Sequence, residues 1–369
     1  MAKILFVFGT RPEAIKMAPL IIELNKHEQF TPVVAVTAQH REMLDQVLSI
    51  FNISPDYDLN VMAHNQSITQ ISTNVLNKLD EVIKIEQPDI ILVHGDTTTT
   101  FSAALAGFYN KVLIGHVEAG LRTYQKYSPF PEEMNRRLTG VLTDFHFAPT
   151  EAAATNLLNE GYTKDQIYIT GNTAIDALKS TVSSEYEHPL LSNIQQENRR
   201  LILLTAHRRE NLGEPLHHIF RAVRKLVETY PDVEVVYPVH LNPLVQEAAN
   251  AVLHGVERVH LIEPLSVIDF HNFMAQSYLI LTDSGGIQEE APSLGIPVLV
   301  LRDTTERPEG VAAGTLKLVG TNEEDIFKQV QLLLEDESAH QAMSHATNPY
   351  GDGTASQQIM NVLDEYFHK

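Results

Sequence analysis

The first residues in this chain that could do chemistry are two carboxylates at the ends of apolar runs. Asp96 comes just after Ile90–His94, and Glu118 directly follows Val112–Val117. A carboxylate at the end of a buried strand is partly desolvated, and so suited to exchange a proton in a cleft. For Asp96 the alternative is a helix cap, because Thr97–Thr100 and a helical segment follow it. Glu118, followed by Ala119-Gly120, has no comparable structural excuse.

A second group suits an anion. His207-Arg208-Arg209 follows Leu201–Ala206 and places an imidazole beside two guanidinium groups. TDSGGIQEEA (Thr282–Ala291) reads as a strand end, two glycines and a helix start. Asp283 or Ser284 can cap that helix, and glycine lets backbone amides approach a phosphate. An ordinary capped turn fits the same residues, and the GxGxxG dinucleotide fingerprint is absent. Glu290 lies one turn further on, where spacing alone reads as a solvated helix charge.

In SPFPEEMNRRLTG (Ser128–Gly140), Pro131 suits a first helical position, with Glu132 and Glu133 in the first turn. Glu132–Arg136 and Glu133–Arg137 are i,i+4 pairs worth about 0.2–0.5 kcal/mol each, and the spacing alone favours a salt-bridged surface helix. His94, His116 and His146 sit inside apolar runs and read as core histidines with one hydrogen-bond partner each. No HExxH or clustered carboxylate spacing points to a metal.

These groups need elements to position them. Apolar runs at Ile4–Phe8, Val33–Val36, Ile90–His94 and Val112–Val117 alternate with helix-length segments through Leu24, over Met43–Phe51 and over Ala103–Tyr109. The alternation restarts with Leu201–Thr205, Leu216–Tyr230, Val233–Tyr237, Val259–Ile262, Leu279–Thr282 and Val298–Leu301. Continuous apolar strands between helices predict parallel sheets covered on both faces, hence two Rossmann-like α/β domains. The expected domains are 1–171 and 172–353, with a final helix over 354–369 packing back on the first. Ligands of such sheets bind beyond the carboxyl ends of the strands. If the two domains face each other, the chemistry-bearing residues line one central cleft.

Composition narrows the function. At 369 residues the chain is long enough for two cores, and 43% apolar with 20% charged residues is ordinary for a globular protein. Twenty-seven basic against 47 acidic residues, a formal net charge of −20, argues against sequence-independent nucleic-acid binding. The lack of cysteine rules out disulfides, thiol catalysis and zinc–thiolate sites. MAKILFVFGTRPEA reads as a first core strand and not a signal peptide, and no run is long enough to span a membrane, so the expected location is cytoplasmic.

Taken together, eight segments resemble the non-hydrolysing UDP-N-acetylglucosamine 2-epimerases. They are GTRPEAIKMAP (Gly9–Pro19), HGDTTT (His94–Thr99), GHVEAGLRT (Gly115–Thr123), SPFPEEMNRR (Ser128–Arg137), TAHRREN (Thr205–Asn211), YPVHLNP (Tyr237–Pro243), Thr282–Glu309 and NPYGDG (Asn348–Gly353). The resemblance runs in order over nearly the whole chain. It implies the two-domain glycosyltransferase-B arrangement and reversible conversion of UDP-N-acetylglucosamine to UDP-N-acetylmannosamine. The route implied is elimination and re-addition of UDP through a 2-acetamidoglucal, without NAD or another cofactor. A retaining UDP-sugar glycosyltransferase of the same fold is the alternative reading.

By the same resemblance, Asp96, Glu118 and Glu132 form the acid/base set, and His207 stabilises or protonates the departing diphosphate. Arg11, Arg136, Arg307 and the amides of Ser284, Gly285 and Gly286 hold phosphate and sugar, with Lys16 accessory to them. Phe270 stacks on uracil near the Leu265 backbone, and Glu290 binds ribose. Gln39, His40, Arg208 and His240 resemble an allosteric effector site. Met62-Ala63-His64-Asn65-Gln66 departs from the more basic segment of many relatives. A homodimer supplying cell-envelope polysaccharide synthesis is the implied setting.

Overall fold

Seven strands order the first part of the computed structural model, which describes residues 1–37, 41–61 and 66–368, for 41–43 the backbone only. They are β1 (Ala2–Phe8), β2 (Phe30–Val36), β3 (Tyr57–Asp58), β4 (Ile90–His94), β5 (Leu113–Val117), β6 (Phe145–Ala148) and β7 (Ile167–Ile169). They pair in the order β3-β2-β1-β4-β5-β6-β7, every pairing parallel. The central strands are buried along nearly their whole length because helices cover both faces. The second sheet has β8 (Arg200–Thr205), β9 (Val233–Pro238), β10 (Val259–Ile262), β11 (Leu279–Thr282), β12 (Val298–Val300) and β13 (Leu316–Leu318). It is also fully parallel, in the order β10-β9-β8-β11-β12-β13. In both sheets the order reverses beside the first strand of the unit, the topology that opens a crevice at the strands' carboxyl ends.

Contacts divide the chain into Met1–Ser180 with Tyr350–Lys369, and Thr181–Pro349. The first unit thus runs on past the expected boundary at 171, and physical ties explain why. Helix Thr173–Thr181 carries Asp176, whose carboxylate accepts the Ala355 and Ser356 amides at 3.2 and 2.7 Å. Lys179 donates to the Gly353 carbonyl, and the Asn172 amide to Tyr350 at 2.8 Å. The final helix, Ala355–Phe367, packs in this unit, with Gln29 donating to Asp364 at 3.2 Å and Tyr366 edge-on to Phe145 at 4.9 Å. Among the described residues, no helix is long and apolar enough to cross a membrane.

Candidate active site

At the carboxyl end of the first sheet, β1 leads into helix Arg11–Leu24 and β4 into helix Thr98–Tyr109. Glu13 ties these two turns together. Its buried carboxylate accepts the Gly9 and Thr10 amides at 3.0 and 2.8 Å and the Thr97 and Thr100 hydroxyls at 2.7 and 3.2 Å. Gly9 is needed at that turn, because a Cβ there would lie 1.9 Å from Thr37 Oγ1. Thr97, not Asp96, caps the helix, accepting the Thr100 amide at 3.1 Å. Asp96 is thereby left to point elsewhere.

It points at Arg136. One Arg136 terminal nitrogen donates to Asp96 Oδ2 at 2.5 Å and to Glu118 Oε1 at 3.2 Å; the other donates to the Glu118 carbonyl. Lys16 donates to Glu118 Oε2, and His94 Nε2 stands 3.6 Å from the same oxygen. Glu118 has φ 63°, left-handed backbone that costs a non-glycine residue on the order of 1–3 kcal/mol. That conformation accompanies the carbonyl's contact with Arg136. Burial alone would raise the Glu118 pKa, but the Lys16 and Arg136 cations beside it hold it well below the usual carboxylate range. Burial lowers the neighbouring His94 to about 4, so it is neutral at pH 7.

The helix Glu132–Leu142 is not the salt-bridged surface helix expected from spacing. Arg136 is buried and turned inward, and Glu133 is buried too, accepting the Thr123 and Tyr124 amides at 2.9 and 3.1 Å. Arg137 approaches Glu160 at 3.9 Å instead. Glu132 is half-exposed, with no side-chain hydrogen bond among the described residues. Arg11 is exposed with no ion pair among them, so the structure does not bring it to Asp96 and Glu118. Of the three core histidines, His116 bonds the Gly95 carbonyl at 2.7 Å. Neither ring nitrogen of His94 or His146 has a hydrogen-bond partner among the described residues, contrary to the one partner expected of each.

In the second unit Asp283 is no helix cap. It is fully buried, and Oδ2 accepts the amides of His207 and Arg208, each at 2.8 Å, and Asn211 Nδ2 at 3.0 Å. The turn after β8 is therefore built on the end of β11. Ser284 occupies the N-cap position without a side-chain bond, and its amide is engaged by Thr282 Oγ1 at 3.0 Å. Beyond it, two guanidinium groups converge on Gly285: a Cβ there would lie 3.6 Å from Arg208 and 3.5 Å from Arg307. Such a pair of cations beside a side-chain-free backbone suits a diphosphate. Arg307 is oriented by Glu289, and Arg208 faces Glu306 at 3.5 Å.

His207 stacks on His240, ring centroids 4.8 Å apart and 6° from parallel. Burial lowers the His207 pKa, while Asp283 opposes that shift. Glu290 lies 3.7 Å from His271 Nε2. Burial lowers His271 to about 4, so that imidazole is neutral at pH 7. Phe270, on helix Val267–Ala275, and Leu265, just before it, are half-buried. Gln39, His40 and Met62–Asn65 lie outside the described residues.

The family model described as UDP-N-acetylglucosamine 2-epimerase matches residues 22–364. UDP-N-acetylglucosamine 2-epimerase of Bacillus subtilis strain 168 is 61% identical over 361 residues, 98% of this chain and 94% of that protein. The crystal structure of the Neisseria meningitidis UDP-GlcNAc 2-epimerase bound to UDP-GlcNAc superposes with TM-score 0.87 at 53% identity, covering 98% of this chain and 100% of its own. The Methanocaldococcus jannaschii UDP-GlcNAc 2-epimerase in complex with UDP-GlcNAc and UDP gives TM-score 0.77 at 32% identity, over 98% and 99% of the two chains.

Proposed function

We propose, from the premise that this chain belongs to the UDP-N-acetylglucosamine 2-epimerase family, that it interconverts UDP-N-acetylglucosamine and UDP-N-acetylmannosamine. The observation that carries the reading is Arg136 joining Asp96 to Glu118 at the ends of neighbouring strands β4 and β5. Carbon 2 of the sugar adjoins no carbonyl, so a simple carbanion there has no stabilisation. Elimination avoids it. An enzyme carboxylate takes the carbon 2 proton, the C–H electron pair forms the C1–C2 double bond, and the C1–O pair leaves with UDP. Re-addition of UDP at carbon 1, with protonation of carbon 2 on the opposite face, gives the manno sugar. The sequence is redox-neutral and needs no NAD.

Two faces require two proton-transfer positions. Asp96, Glu118 and Glu132 supply them, and His207 steadies the departing diphosphate. Arg307 and the Ser284–Gly286 turn hold that diphosphate, Arg136 and Lys16 keep Glu118 ionised, and Arg11 binds phosphate. Glu290 holds ribose, and Phe270 stacks on uracil near Leu265. The substrate also acts as an activator through Arg208 and His240. The chain works as a homodimer. The product feeds cell-envelope polysaccharide synthesis in the cytoplasm.

The test is incubation with UDP-N-acetylglucosamine in heavy water, read by NMR. UDP-N-acetylmannosamine carrying deuterium at carbon 2 is expected without added NAD. Product lacking deuterium would exclude the elimination. Sugar transfer to an acceptor with the carbon 2 hydrogen retained would establish a glycosyltransferase instead.

A further inference from the structure

We propose that Asp283 is a positioning residue for His207, holding Nδ1–H of the ring toward its own Oδ1 so that Nε2 faces the departing diphosphate. The inference rests on the role of His207 in the proposed reaction and adds the group that orients it.

The two oxygens of Asp283 are used unequally. Oδ2 is saturated by the His207 amide, the Arg208 amide and Asn211 Nδ2. Oδ1 is buried and has no hydrogen-bond partner among the described residues. A buried carboxylate oxygen without a donor is costly, so its surroundings select a donor when one can be turned toward it. His207 Nδ1 stands 3.6 Å away, beyond a formed hydrogen bond but within reach of a small rotation of the ring. The parallel stack on His240 fixes the plane of the ring but does not choose which nitrogen carries the proton. Asp283 makes that choice, and its own position is locked by the three donors on Oδ2.

The surroundings as a whole lower the His207 pKa, and Asp283 works against that shift. Burial lowers the His207 pKa first; His240, following β9, and Arg208, beside it on the same turn, lower it further. Of the groups acting on the ring among the described residues, Asp283 favours the imidazolium. With Nδ1–H committed to Asp283, the protonated ring donates from Nε2 to a phosphate oxygen as the C1–O bond breaks. The neutral ring left behind is stabilised in one tautomer, ready to recover that proton on re-addition.

The test uses the full chain labelled with 15N-histidine, and assigns the His207 ring by comparison with His207→Gln. Above its titration, wild-type His207 is expected as the Nδ1–H tautomer. Asp283→Asn keeps a carbonyl oxygen for the three donors but turns an NH2 toward Nδ1, which must then accept, so the tautomer inverts. Turnover should fall about 100-fold or more, the lower end of what a positioned acid–base group supplies. The alkaline limb of the kcat profile should move to lower pH. UDP affinity by calorimetry should stay within about threefold. An Nε2–H tautomer in the wild type would overturn the proposal, and that reading decides it even if Asp283→Asn does not fold. Lost turnover with an unchanged tautomer and pH profile would reduce Asp283 to a structural tie. A wild type that shows the Nδ1–H tautomer but no epimerisation would refute the proposed function and leave the Asp283–His207 pairing in place.

Discussion

Arg136 Nη2 lies 2.5 Å from Asp96 Oδ2 and 3.2 Å from Glu118 Oε1, so a single guanidinium nitrogen serves both carboxylates. The side chain is buried, and its other terminal nitrogen holds the Glu118 carbonyl in its left-handed turn. Arg136→Met removes the partner of two carboxylates, one of them buried, and should cost about 3–5 kcal/mol of stability, read from urea unfolding. Arg136→Lys keeps the charge but not the fork, and should recover part of the stability without recovering turnover. Wild-type stability in Arg136→Met would mean that the triad is not what holds this turn.

Asp96→Asn and Glu118→Gln should abolish turnover while leaving UDP binding nearly intact. Both residues sit at the end of the first sheet, whereas the residues proposed to hold the nucleotide, Arg307, Phe270 and Glu290, belong to the other unit. Calorimetric loss of UDP affinity beyond about tenfold, roughly 1.4 kcal/mol, would reassign the two carboxylates to binding or folding.

Lys16 should set the acid limit of the fold. The folded-state pKa of Glu118 lies below its ordinary value: burial pushes it up, and Lys16 and Arg136 more than offset that. A depressed carboxylate contributes stability above its unfolded pKa of about 4.3, and that stability is lost as pH falls through the folded value. Lys16→Met raises the folded value and removes part of the contribution. Its acid-unfolding midpoint, followed by circular dichroism, should therefore lie at higher pH than in the wild type. An unmoved midpoint would show that Lys16 does not govern Glu118.

The strands that position the site were legible because they are continuous apolar runs, and Asp96 and Glu118 were legible because they end two of them. The strands β3, β6, β7 and β13 are not legible: they run two to four residues, and a polar residue interrupts β3, β6 and β13. Spacing alone misplaces Arg136 and Glu133: i,i+4 pairing describes a helix in water, and this helix buries both side chains. Local sequence offers Asp283 only as a possible cap of the helix that follows it. Its real partners lie 72–76 residues earlier in the chain, a long-range tie that periodicity does not encode. The domain boundary moved for a related reason, because Asp176 and Lys179 commit their helix to the returning C-terminal segment.

His240 should separate regulation from catalysis. Its ring stacks on His207, and the adjacent Arg208 shares the Asp283 carboxylate with His207 through the two backbone amides. A ligand engaging Arg208 and His240 would thus reposition His207 directly, and a coupling of about 1–3 kcal/mol corresponds to a change of roughly 5–150-fold. Supplied with pure UDP-N-acetylmannosamine, the protein should lag or stall until a trace of UDP-N-acetylglucosamine is added. His240→Ala should weaken that rescue more than it slows the forward reaction at saturating UDP-N-acetylglucosamine. Equal losses in both would place His240 in support of His207 alone. Immediate hyperbolic turnover of the manno sugar by the wild type would eliminate the activator role, because a coupled effector must change the rate at which its partner site works.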